Sequence, residues 1–189
     1  MHRIRGFKSA AEFRAWLAAH HRDTDGIRLR IFKKDSGRAT VTYAEALDEA
    51  LCYGWIDGLK ESYDDISWLQ KFTPRRARSG WSKINTRHVA RLIQAGRMRA
   101  AGQAQVDAAQ RDGRWTAAYD SQSNATFPDE FLAALTKDRK TAAFFESLSK
   151  SNRYAIAYRL QTAKRPETKQ RRMAMILAML ARGEAFHLA

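Results

Sequence analysis

The chain has one cysteine, Cys52, in 189 residues. That excludes a disulfide framework and any multi-cysteine zinc or iron–sulfur site, and it makes the cytoplasm the expected compartment. No apolar stretch reaches the ~20 residues that span a bilayer. Charged residues open the chain with no apolar run behind them, so no signal peptide is expected. The five histidines, His2, His20, His21, His88 and His187, have no metal-ligand spacing. GxGxxG, Walker A and GxSxG motifs are also missing, which weakens dinucleotide, nucleotide-hydrolase and serine-hydrolase readings. Neither a metal nor a cofactor is expected.

A further absence is local. Between Asp65 and Asp107 there is no carboxylate, yet there are nine Lys or Arg. Residues 1–65 hold 11 acidic and 11 basic side chains; residues 66–189 hold 9 and 23, which accounts for the whole net charge of +14. Such asymmetry predicts a basic face that meets phosphate, nucleic acid or anionic headgroups, or else a solvated basic surface. What is present otherwise is ordinary: 44% hydrophobic and 29% charged residues. A chain of this length buries roughly 70% of its unfolded surface and needs no covalent staple.

Periodicity and punctuation predict an α+β protein. Ser9-Ala10-Ala11-Glu12 reads as a capping box, followed by Phe13, Trp16, Leu17 and His20 on one stripe. Ile27, Leu29 and Ile31 alternate with Arg28 and Arg30, which predicts a half-buried strand. A second box, Thr42 to Glu45, starts a helix that Gly54 stops. Trp55 to Phe72 reads as a hairpin turning near Tyr63-Asp64-Asp65. The expectation is a small antiparallel sheet of about three strands, two helices on one face, then helices almost to the end. Val89, Leu92 and Ile93 mark one; 100–109 is Ala-rich; Pro128, with Phe131, Leu132 and Leu135, begins another. Phe144, Phe145 and Leu148, then Tyr154, Tyr158 and Leu160, mark two more. Pro166 opens the last, with Met173, Ile176, Leu177 and Leu180 as its seam. The polar run 120–126 suggests a boundary between a domain over 1–120 and a helical subdomain over 121–189.

Three clusters stand out: Ala50-Leu51-Cys52-Tyr53-Gly54-Trp55-Ile56-Asp57-Gly58; Phe72-Thr73-Pro74-Arg75-Arg76 with Ser79 and Trp81-Ser82-Lys83-Ile84-Asn85; and Ser151-Asn152-Arg153-Tyr154 with 162–168 and Arg171-Arg172. With Gly113-Arg114-Trp115 and Ala118-Tyr119-Asp120, this pattern resembles the YdeI/OmpD-associated family over nearly the whole chain, from about Ala11 to Gly183. The resemblance implies a role in bacteriocin or antimicrobial-peptide tolerance. It brings no reaction, cofactor or catalytic residue with it. Such peptides are often cationic, and a protein of charge +14 repels them at long range. An indirect route through an anionic partner is therefore expected.

The hairpin register brings the first two clusters together and defines a candidate ligand site of Trp55, Asp57, Arg75, Arg76, Trp81, Ser82 and Asn85. Ser82 is placed to cap the next helix, whose N-terminus attracts anions. The arginines offer bidentate phosphate contacts, and Trp81 a stacking face. The competing reading pairs the arginines with Asp57, Asp64 or Asp65 and buries Trp81. The leading function is a binding protein for an anionic small molecule or phosphate. Weak, non-specific nucleic-acid binding by the basic C-terminal two-thirds is one alternative. A small-molecule enzyme with Asp57 as acid or base is the other. Cys52 ends a helix, where the dipole raises its pKa, so it reads as a buried apolar residue.

Overall fold

The structure is a computed structural model and describes residues 3–121 and 124–187. It divides into two compact units. The first runs to Trp81 and resumes over Asn85–Thr116; the second comprises Ser82–Ile84 and the chain from Ala117 on.

The first unit opens with a β-α-β element. Strand β1 (Arg3–Gly6) leads into helix α1 (Ala10–His20) and then strand β2 (Ile27–Phe32), and the two strands pair in parallel. Ser9 accepts a hydrogen bond from the Glu12 N–H, as its position predicts. The Glu12 carboxylate, however, accepts from the Lys8 N–H at 2.8 Å, so the expected box is displaced by one residue. Phe13 and Leu17 are fully buried, and the Phe13 ring lies 5.8 Å from that of Phe72 in the sheet. β2 alternates buried Ile27, Leu29 and Ile31 with half-buried arginines, as expected.

After a 3₁₀ turn at Lys34–Ser36, helix α2 (Tyr43–Cys52) starts on a complete capping box between Thr42 and Glu45. Strands β3 (Trp55–Asp64) and β4 (Ser67–Pro74) form the hairpin. Its register sets Asp57 opposite Phe72 and Trp55 opposite Pro74. The sheet order is β1-β2-β4-β3. Four strands therefore replace the expected three, and the sheet is mixed rather than antiparallel. The addition is β1, an edge strand whose lone apolar side chain, Ile4, is largely exposed. Such a strand is held by backbone pairing rather than burial, so it leaves little hydrophobic pattern.

Helices α3 (Lys83–Gln94) and α4 (Ala100–Arg111) follow. Val89 and Leu92 of α3 are buried, whereas Ile93 is exposed. The second unit holds α5 (Asp129–Leu135), α6 (Arg139–Ser147), α7 (Lys150–Gln161) and α8 (Pro166–Ala181) around Phe131, Leu135, Phe145, Ile156, Leu160, Ile176 and Leu180. Pro128 is the residue before α5 rather than its first. In α7 the core positions go to Ile156 and Leu160; Tyr154 is half-buried and Tyr158 exposed, their rings 6.1 Å apart. Among the described residues from Pro128 to His187 there is no strand. None of the helices among the described residues is long and apolar enough to cross a membrane.

Candidate functional site

Pro74 ends β4, and the next six residues form a tightly tied loop. The Arg75 N–H donates to the Gly54 carbonyl at 3.0 Å, anchoring the loop to the turn before β3. The Arg75 guanidinium is buried: its carbon sits 3.5 Å from the centroid of the Trp81 ring, and Nη1 donates to the Gly80 carbonyl at 3.1 Å. Trp81 is only 2% exposed and packs its other neighbour, Trp115, at 5.0 Å. Arg114, also buried, donates to the Ser79 carbonyl at 2.9 Å. Ser79 closes the turn, its Oγ accepting from the Arg76 N–H and its N–H donating to the Arg76 carbonyl. Arg76 and Arg78 are exposed on this turn.

The structure therefore sorts the expected site residues. Arg75 and Trp81 come together, but as a packed pair, so Trp81 offers no free face for a ring. Trp55 is fully buried and donates its indole N–H to the His21 carbonyl at 2.9 Å, which makes it core. Asn85 is buried in α3. Ser82 directly precedes α3 and belongs to the second unit, where it bridges Tyr119. Asp57 is drawn elsewhere: it accepts a 2.8 Å hydrogen bond from the Tyr43 hydroxyl in the first turn of α2. Burial, with the Asp57 carboxylate adding to it, pushes the Tyr43 phenol well above its ordinary value, so it stays a donor. Asp64 pairs with Arg30 rather than with the loop arginines.

Sequence reasoning missed a buried ionic cluster. Asp48 and Glu49 are both buried on α2. Glu49 accepts from Arg14 of α1 at 2.9 and 2.6 Å and from Arg97 at 2.7 Å. Asp48 is held by His88 at 2.9 Å and by Arg91 at 2.6 Å, both on α3. The signal was two adjacent carboxylates between Leu47 and Ala50 on a helix that faces the core. Buried carboxylates demand charged or hydrogen-bonding partners, and the carboxylate-free stretch supplies three of the four, His88, Arg91 and Arg97. Burial alone would raise the Asp48 carboxyl, but the hydrogen bonds from Arg91 and His88 outweigh it and hold it below the ordinary aspartate value. A carboxyl depressed on folding stabilises the fold above its unfolded pKa, near ~4, and loses that contribution as pH falls toward the folded value. The melting temperature is expected to fall with acidification below about pH 4, and Asp48→Asn to flatten that step. A step unchanged in Asp48→Asn would assign it to another group.

Cys52 ends α2, as expected. Burial, then Glu49, pushes its thiol up to about 11, so it is protonated at neutral pH and a poor nucleophile.

A family model described as a domain of unknown function, DUF8412, matches residues 5–105, just over half the chain. The chain belongs to this family. The match spans the end of β1, strands β2 to β4, α1 to α3, the carboxylate pair and the Arg75–Trp81 loop. A second model, described as "Bacteriocin-protection, YdeI or OmpD-Associated", matches residues 124–183, the helices α5 to α8. The YdeI/OmpD-associated resemblance is thus found in the second unit, over a shorter span than the sequence pattern suggested. The clusters around Cys52 and Arg75 lie in the DUF8412 match instead. No curated protein and no solved structure matches the chain at a significant level.

Proposed function

We propose that this DUF8412 protein is a cytoplasmic binding protein for a small anionic, phosphate-bearing ligand. Its docking point is the turn that presents Arg76 and Arg78. One observation supports this most: the loop is fixed by buried groups, while its two outward arginines take part in none of the ion pairs among the described residues. A rigid turn with two uncompensated guanidiniums is pre-organised for an oxyanion, which lowers the entropic cost of binding. Arg75 and Trp81 hold the turn rather than the ligand. The YdeI/OmpD-associated segment supports a role in antimicrobial-peptide tolerance, and the charge of +14 favours the indirect route.

The test is a calorimetric titration with pyrophosphate. The double substitution Arg76→Ala/Arg78→Ala is expected to weaken binding about tenfold or more, because each lost charge-assisted contact is worth ~1.5–3 kcal/mol. Stability should change by no more than about 0.5 kcal/mol, as for other surface substitutions. Arg75→Ala should instead lower stability. Unchanged pyrophosphate affinity in the double variant would sink the site. Duplex DNA added as competitor decides the nucleic-acid alternative. That reading draws on exposed Lys164, Arg165 and Arg171, which join no ion pair among the described residues. Displacement of pyrophosphate by DNA that disappears between about 50 and 200 mM salt would favour a polyanion over a small ligand.

A further inference from the structure

The β-α-β element leaves a cleft of about 430 Å³ in the first unit, lined by the start of β1, the C-terminal turn of α1 and the loop into β2. Its charges are arranged by element. Arg3 and Arg5 come from β1; Asp23 and Asp25 come from the loop after α1. The C-terminal end of α1 adds partial negative charge on the same side as the aspartates. No ion pair among the described residues joins either arginine to either aspartate. The cleft therefore keeps a positive and a negative pole that do not neutralise each other.

The cleft also has an aromatic wall. The His20 ring stacks on Trp16 at 4.6 Å with 9° between planes, and the Arg5 guanidinium lies 5.6 Å from the Trp16 ring centroid. His20 Nδ1 is within 2.8 Å of the Trp16 carbonyl. The tautomer that satisfies this contact donates from Nδ1 and leaves Nε2 as an acceptor. Trp16 Nε1 is buried and makes no hydrogen bond among the described residues.

We propose that this cleft binds a small zwitterion of the α-amino acid or dipeptide class. The ligand carboxylate pairs with Arg3 and Arg5, and its ammonium with Asp23 and Asp25. A purely anionic ligand would meet the aspartates, and a purely cationic one the arginines. Only a molecule with both charges uses both poles. The site is separate from the Arg76–Arg78 turn and does not depend on that reading.

The Trp16 indole N–H resonance in a nitrogen–proton correlation spectrum reports on the cleft, and Trp16→Phe assigns it among the five tryptophans. The probe is glycylglycine, with N-acetylglycine and glycinamide as carriers of one charge each. Glycylglycine is expected to move the Trp16 resonance and to bind about tenfold tighter than either control. Asp23→Asn/Asp25→Asn and, separately, Arg5→Gln are each expected to weaken it by about the same factor. The aspartates are exposed, so their variant tests the site even if Arg5→Gln perturbs β1. A control that binds as well as glycylglycine overturns the proposal, as does an unmoved Trp16 resonance or unchanged affinity in the aspartate variant.

Discussion

Removing both Arg14 and Arg97 is expected to lower stability by about 3–5 kcal/mol, more than removing Glu49 itself. The asymmetry follows from exposure. The Glu49 side chain is 2% exposed, whereas those of Arg14 and Arg97 are 43% and 36% exposed. When Glu49 is lost, both guanidiniums can turn to water. When the guanidiniums are lost, the carboxylate stays buried and uncompensated. Each single arginine substitution leaves one partner in place and should cost about 1–3 kcal/mol. The two share a partner, so their effects should not add. Glu49→Gln in the double-variant background should recover part of the loss, since it removes the charge and keeps the shape. Equilibrium denaturation in urea measures all of these. If Glu49→Ala costs more than the arginine pair, the carboxylate is reaching water in the variant and its burial is not what ties α1 to α2.

This pair also shows why the site was harder to read than the fold. Helices and the hairpin write themselves into the chain by local rules: Thr42 with Glu45, alternation at Ile27, Leu29 and Ile31, the bulky residues of the hairpin from Trp55 to Phe72. The partner of a charge obeys no such rule. The hairpin sets Asp57 opposite Phe72, but its hydrogen bond comes from Tyr43, fourteen residues earlier on another element. Arg75 and Arg76 are neighbours in sequence and looked alike. Yet one is buried against Trp81 and the other exposed, because the anchor of the Arg75 N–H to Gly54 turns the chain between them. The residues that hold Trp81 and the loop in place, Trp115 and Arg114, lie some thirty-five positions downstream. Aromatic bulk at Trp55 and Trp81 was legible; that it faces inward is decided by packing between elements. β1 escaped for the opposite reason, since its pairing with β2 uses the backbone and leaves the side chains almost unpatterned.

The second large effect is expected at Gly102. This residue lies inside α4, where glycine is a poor helix former, and alanine there would ordinarily gain about 1 kcal/mol. Here the sign should reverse. A Cβ on Gly102 would fall 2.7 Å from both the Cys52 carbonyl carbon and the Leu51 carbonyl oxygen, and closer still to the Cys52 oxygen. These are backbone atoms at the end of α2, so no rotamer change relieves the clash; α4 must move. Gly102→Ala is therefore expected to destabilise by about 1–3 kcal/mol, the usual range for overpacking. Ala104→Gly, at an exposed position in the same helix, calibrates the propensity alone at about 1 kcal/mol. The displacement also has a defined path to the carboxylate pair. Arg99, directly before α4, donates its N–H to the Cys52 carbonyl at 3.1 Å, and Arg97 two residues earlier holds Glu49. Pushing α4 off α2 pulls on that segment, so Gly102→Ala should cost less in an Arg97→Ala background than in the native chain. Additive losses would mean that the helix contact and the ion pairs are independent. A gain in stability for Gly102→Ala would mean that α2 and α4 do not approach this closely in solution.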